Sequence, residues 1–174
     1  MSIPQFTVGQ VLTSAELNVM VDAINAGGAV KVTAFTASGT FTPPTGVTYA
    51  VAYVRGAGGG NGTASAGAGG NSSVAFAGGT ISASGGAACN ANPSVPTANA
   101  QAGAANSGLG ARGSVFRSAD GGFNWHGGDG ANIVAGGDVT AGVGITVTVA
   151  AGGTAGTSGA AGGSGYVYIE YSGG

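Results

Sequence analysis

One histidine and one cysteine mark the places where this chain could do nucleophilic chemistry. His126 is flanked in sequence by Asp120 and Asp129 in a chain rich in serine, which together are the residue types of a Ser-His-Asp triad. A single histidine among many serines meets that description by chance, so we expect no enzymatic activity. A lone histidine also excludes a multi-histidine metal site. Cys89 lies in a polar segment without a cationic neighbour to stabilise a thiolate, and we interpret it as unreactive.

Two glycine motifs resemble ligand sites. Residues Gly108–Gly113 read G-x-G-x-x-G, but no strand-to-helix context surrounds them, and 39 glycines make such a match common. Residues Gly127–Ala135 resemble one calcium-binding nonapeptide repeat with Asn132 in the usual aspartate place. One imperfect copy cannot stack on another. We therefore expect neither a cofactor nor a metal.

Bulky side chains concentrate between residues 112 and 126, which hold the only tryptophan and the only histidine. Aromatic residues and arginine dominate binding hot spots, and aromatic faces also stack on sugar rings. A second segment, Ala87–Ser107, offers a competing site through its amide side chains at Asn90, Asn92, Asn99 and Gln101. Two structural alternatives to receptor contact stay open: Trp125 fills the protein core, and His126 is a half-exposed residue of a loop. The candidate contact residues are Phe116, Arg117, Phe123, Asn124, Trp125 and His126.

Composition excludes several classes of protein. Charged residues are 6% of the 174 residues and the net charge is −2, with Lys31, Arg55, Arg112 and Arg117 as the only cations, so we expect no nucleic-acid partner. The sequence lacks an apolar run long enough to span a membrane and lacks the pattern of a signal peptide. We expect synthesis in a cytoplasm.

Glycine recurs at every third place between Gly153 and Gly165, a period that matches polyproline II rather than a helix or strand. Collagen is excluded because only 5 residues are proline. A flexible linker is disfavoured because strand-forming stretches flank the tract on both sides. We predict that Gly156, Gly159 and Gly162 face other backbones, whereas Thr157 or Ala160 faces outward or sideways and tolerates substitution.

The only clear helix signal lies in Leu12–Gly27, where Thr13 and Glu16 form a capping box. A helix this short is marginal alone, so its apolar face must dock on something. We predict a homotrimer through that face, with a monomeric cap on another fibre as the alternative. The apolar face comprises Leu17, Met20, Val21 and Ile24.

The remaining pattern is of strands and glycine tracts. Alternating β-branched and aromatic residues predict strands at 31–36, 39–42, 47–55, 144–150 and 166–171, with shorter ones at 73–77 and 80–83. We predict a mainly β fold with polyglycine II helices, in which a short N-terminal α-helix precedes a glycine-rich β-sandwich or polyglycine II bundle. Residues 1–29 form the attachment and oligomerisation segment, and residues 30–174 form the glycine-rich domain.

Several segments carry a resemblance to bacteriophage proteins. Lys31–Gly60, with V-T-x-F-T-x-S-G-T-F-T-x-P-x-G-V-T followed by an alternating strand, resembles the opening of the glycine-rich domain at the ends of tail fibres. Residues 71–76, 144–153 and 165–171 resemble further pieces of that domain. Phe6–Asn18 is similar to the N-terminal segment of phage tail appendage proteins.

The resemblance implies a tail-fibre tip or receptor-binding protein, similar to the polyglycine II tip adhesins of T-even long tail fibres. It implies residence in the virion after synthesis in the host cytoplasm, other tail proteins as partners, and loops that recognise a bacterial polysaccharide, pilus or outer-membrane protein. The alternatives are a structural fibre or baseplate component without its own receptor, and an ice-binding or matrix glycine-rich protein.

Overall fold

The computed structural model describes residues 29–62, 65–90, 107–108, 112–116, 123–157 and 159–173. The predicted N-terminal helix, with Leu17, Met20, Val21 and Ile24, lies outside the described residues, and so does Arg117. The described chain is mainly β, and no helix occurs within it. Its twelve strands are β1 Val30–Phe35, β2 Gly39–Phe41, β3 Tyr49–Arg55, β4 Asn61–Gly62, β5 Ser72–Phe76, β6 Gly79–Ala83, β7 Cys89–Asn90, β8 Arg112–Phe116, β9 Phe123–His126, β10 Asn132–Asp138, β11 Ile145–Thr148 and β12 Tyr166–Ser172.

Two four-stranded antiparallel sheets form the first half of the architecture. Sheet one has the order β1-β12-β3-β10, and sheet two has the order β2-β11-β5-β6. The inward residues of the two sheets share one apolar cluster, so the sheets pack face to face as a sandwich. Alternation along β3 shows the arrangement, because Ala50, Ala52 and Val54 are buried while Tyr49 and Tyr53 are exposed.

The core of the sandwich is built from few large side chains. Val54, Val74, Val167 and Ile169 are fully buried at its centre, and small alanines such as Ala52 fill the space between them. Small residues let the sheets pack closely although the chain holds few leucines and phenylalanines. The core therefore depends on close fit more than on the size of individual side chains.

A bundle of glycine-rich segments forms the second half. Three excursions leave the same end of the sandwich and return to it: residues 56–71 join β3 to β5, residues 84–131 join β6 to β10, and residues 149–165 join β11 to β12. All of the first outgoing tract, residues 56–62, is buried. We call this segment the central tract, because the other segments surround it.

Backbone hydrogen bonds in the bundle repeat every third residue. Along the central tract the amides of Gly56 and Gly59 donate to residues 131 and 128, at 3.0 and 2.8 Å. The amides of Ala57 and Gly60 donate to residues 70 and 67, and those of Gly58 and Asn61 donate to residues 163 and 160. Successive amides of the central tract thus donate in turn to three neighbouring segments, and each of these segments runs antiparallel to the central tract. These bonds satisfy a buried backbone that has almost no side chains.

The glycines of the third excursion lie against other backbones, as their period predicts. A Cβ built on Gly159 would stand 1.8 Å from the carbonyl oxygen of Asn61, and one built on Gly162 would stand 2.0 Å from that of Gly58. Thr157 is exposed, as predicted. The outward or sideways placement predicted for Ala160 is wrong, because Ala160 is buried, with only 7% of its surface exposed. Two hydrogen bonds to Asn61 hold it against the central tract.

Two further corrections concern strands. Phe123–His126, which the sequence places in a glycine-flanked loop, is strand β9 and pairs with β8 as an antiparallel two-stranded sheet with an irregular register between Arg112 and Val115. Strand β10 was not predicted at all. Gly136 and Gly137 weaken its local strand signal, and its place comes from pairing with β3 along its whole length.

Candidate functional site

The described ends of the glycine excursions lie together at the end of the bundle remote from the sandwich, which we call the tip. There the central tract ends in β4, which pairs in parallel with β7 of the second excursion. Gly156 of the third excursion packs against Gly62, since a Cβ built on Gly62 would stand 2.5 Å from the Cα of Gly156. The tip therefore brings together described residues of all three excursions.

The predicted contact residues other than Arg117, which is outside the described residues, lie on the paired strands β8 and β9 at this tip. Phe116 pairs with Phe123 and Val115 pairs with Asn124, so the backbone brings both halves of the candidate set together. Strand β9 then continues through the exposed His126 into Gly127, where a built Cβ would stand 2.1 Å from the carbonyl oxygen of Gly59. The side chains of Phe116, Phe123, Asn124 and Trp125 lie outside the described part of the chain, so the choice between plug and contact at Trp125 stays a prediction.

The competing segment starts from the same place. Cys89 leaves the bundle beside Asn61, with its amide bonded to the carbonyl of Gly60 at 3.0 Å. The chain re-enters the described structure at Ser107 and Gly108, and Gly108 binds Ser164 and Gly130 near the sandwich. Asn92, Asn99 and Gln101 lie outside the described residues. The described residues of both candidate contact segments thus adjoin the same hydrogen-bonded bundle.

Asn61 is the residue that the sequence analysis missed. It is 1% exposed, its Oδ1 accepts from the amide of Ala160 at 2.8 Å, and its own amide donates to the carbonyl of Ala160 at 3.0 Å. Its carbonyl accepts from Gly156 at 3.0 Å. Through its side chain and its backbone, Asn61 thus binds the far end of the central tract to the third excursion. The available signal was a lone amide side chain within a run of glycine and alanine.

Among the described residues, the other motifs lack the arrangement that their chemistry requires. Residues Arg112–Phe116, which should open a helix in a dinucleotide site, form a strand instead. The calcium-like segment is divided between the bundle, residues 127–131, and strand β10. His126 and Asp129 are both exposed, and Asp120 lies outside the described residues. Within the described part of the chain, no three His, Cys, Asp or Glu side chains are grouped to hold a metal ion.

Comparison with known proteins leaves the geometry as the main guide. Neither the protein-family models nor the curated proteins match this sequence. Within the described ranges, no helix has the length and apolar character that crossing a membrane requires.

Proposed function

We propose that this protein is a bacteriophage tail-fibre or receptor-binding protein that recognises a bacterial surface during host adsorption. The observation that carries the proposal is the tip, where a hydrogen-bonded glycine bundle brings together the described ends of three excursions. These ends include the paired strands β8 and β9, which carry the aromatic residues. Binding residues commonly lie on connections held by a rigid scaffold. The resemblance of the sequence to glycine-rich tail-fibre domains points to the same class.

We further propose that the bundle consists of polyglycine II helices. A polyproline II helix has about three residues per turn and no internal hydrogen bonds, so successive amides point in three directions. The rotation of donors from Gly56 to Asn61 among three neighbours has this period. The contacts of Gly153, Gly159 and Gly162 with neighbouring carbonyl oxygens support the same assignment, since only glycine permits so close an approach.

Such a bundle suits recognition because its hydrogen-bonded segments hold the ends of the connections that would contact the receptor. Each segment is bonded to neighbours from other excursions, so the two ends of a connection are held at fixed separation. Less conformational entropy is then lost when a connection binds its target. The receptor is a polysaccharide, a pilus or an outer-membrane protein of the host, and other tail proteins hold the molecule in the virion.

The test is competition for adsorption. Purified full-length protein, incubated with susceptible cells, should block adsorption of the phage that carries it. Trp125→Ala should raise the concentration needed for half-maximal blocking at least about tenfold, as expected at a binding hot spot. Val143→Ala is the matched control, because Val143 is 56% exposed on a turn at the opposite end of the molecule. It should block like the unmodified protein.

Two results would contradict parts of the proposal. Full-length protein that neither binds cells nor competes would remove the receptor-binding function, and phage lacking the gene that still adsorb normally would favour a structural fibre component. Folded Trp125→Ala protein that competes normally would move the receptor contact to another part of the tip. Far-UV circular dichroism of each variant establishes that it is folded.

A further inference from the structure

The outer face of sheet one carries an apolar surface that nothing in the described structure covers. Seven large apolar side chains are exposed among the described residues, and all but Val143 lie on this face: Val30, Val32, Tyr49, Tyr53, Val134 and Tyr168. The strand register places Ala34, Tyr168, Tyr53 and Val134 in one row across all four strands. The next row places the carboxylate of Glu170 between Val32 and Val51, where it accepts a hydrogen bond from the hydroxyl of Tyr53 at 3.2 Å. An exposed group of large apolar side chains of this kind, with its charged neighbour hydrogen-bonded, marks a surface with a partner.

The chain itself brings a candidate partner to this face. Residues 1–28 precede the described structure, and the chain enters sheet one at Val30, which lies on the apolar face of edge strand β1 and is 61% exposed. The sequence in this segment predicts a helix whose apolar stripe needs a surface to pack against. Gly27, Gly28 and Ala29 form the connection between that stripe and β1.

The dimensions of helix and sheet agree. A helix over residues 13–26 would be about 21 Å long at 1.5 Å per residue. Strand β3, with 7 residues, is about 23 Å long at 3.3 Å per residue. Because β1 begins at the sandwich end remote from the bundle, a helix that turns back at the glycine pair would run antiparallel to β1 along the whole sheet. Residues 27–29 can span about 10 Å, which is enough to lift the helix onto the sheet.

We propose that residues 13–26 form a helix that packs its stripe of Leu17, Met20, Val21 and Ile24 on the outer face of sheet one in the same chain. The short connection favours this arrangement over packing between copies, since it holds the helix near its own sheet at an effective concentration on the order of millimolar. One stripe cannot face both its own sheet and two other helices. Docking within the chain and the homotrimer predicted from the sequence are therefore competing arrangements.

The test compares the accessibility of two valines that the described structure exposes equally. Val32 is 59% exposed on the outer face, and Val143 is 56% exposed on a remote turn. In full-length protein carrying Cys89→Ser, we would measure the rate at which iodoacetamide labels Val32→Cys and, separately, Val143→Cys. A docked helix should slow labelling at position 32 at least about tenfold relative to position 143, because the helix must open first.

A second substitution checks the cause of the protection. Val21→Asp places a charge on the stripe and should bring labelling of Val32→Cys up to the rate at position 143. Equal rates at the two positions before this change would overturn the proposal, and so would protection that Val21→Asp leaves intact. If Val32→Cys does not fold, Val30→Cys provides the same comparison at 61% exposure.

Light scattering distinguishes a helix that docks on the sheet of its own chain from a helix contributed by a neighbouring copy. Docking within one chain predicts the mass of a monomer for the full-length protein and for Val21→Asp alike. If the full-length protein is a trimer that Val21→Asp dissociates, the helix on sheet one comes from a neighbouring copy. That result would contradict docking within the chain and support the predicted homotrimer.

Discussion

Gly162→Ala should destabilise the protein strongly, because the new Cβ has no room in the bundle. Built on the backbone, that atom stands 2.0 Å from the carbonyl oxygen of Gly58 and 2.5 Å from its carbonyl carbon. Ordinary contact begins at 3.4 Å, so the two segments must separate by about 1.4 Å. Both atoms belong to backbone, and no side chain can rotate away to relieve the overlap.

The magnitude follows from the hydrogen bonds that hold this contact. The amide of Gly58 donates to Gly163 at 2.9 Å, that of Gly153 donates to Gly58 at 2.8 Å, and that of Gly162 donates to Gly153 at 2.9 Å. Each such bond contributes about 0.5–1.5 kcal/mol, and a buried group left unpaired costs about 1–3 kcal/mol. The reduced entropy of the unfolded alanine chain offsets about 0.4–1 kcal/mol. We expect a net loss of about 2–4 kcal/mol.

Thermal unfolding followed by far-UV circular dichroism measures this loss. For a chain of this length, about 2–4 kcal/mol corresponds to a fall in Tm of about 5–15 °C. Gly78→Ala is the matched control, because the same added atom meets nothing within 4 Å in the turn between β5 and β6. It should leave Tm unchanged or raise it slightly. Equal Tm values for the two variants would refute the view that the glycine period has a packing role.

Two further predictions concern single side chains. Asn61→Ala should cost about 1–3 kcal/mol in denaturant unfolding, because it leaves the buried amide of Ala160 unpaired, whereas Asn71→Ala, which removes an exposed acceptor, should cost clearly less. Similar losses of unfolding free energy in the two variants would show that the Asn61 side chain does not stabilise the tip. The Tyr53 hydroxyl donates a hydrogen bond to Glu170 at 3.2 Å, and this bond, together with the negative charge of the carboxylate, raises the pKa of Tyr53 above its ordinary value. Glu170→Gln should therefore lower the pKa of Tyr53 in an NMR titration. The stabilising contribution is present below pH 10.0 and is lost as pH rises through the pKa of folded Tyr53; an unchanged Tyr53 titration would contradict the assignment.

The sequence by itself determined the elements whose signal is local. Alternating β-branched and aromatic residues located β3, β11 and β12 to within a few residues, because a strand with one buried face needs that alternation whatever its partner. The glycine period likewise identified Gly159 and Gly162 as points of close backbone approach. The predicted N-terminal helix lies outside the described residues and stays a prediction.

Only the tertiary structure decided which segments become partners. Strand β10 forms although Gly136 and Gly137 interrupt it, because β3 supplies its hydrogen bonds. Ala160 is buried because Asn61, 99 residues earlier in the chain, binds it through main chain and side chain. The candidate residues on either side of Arg117 meet because β8 pairs with β9. A hydrogen bond between distant segments leaves no signal in the local sequence pattern of either segment. The tip therefore depends on the tertiary arrangement that places the three excursions side by side.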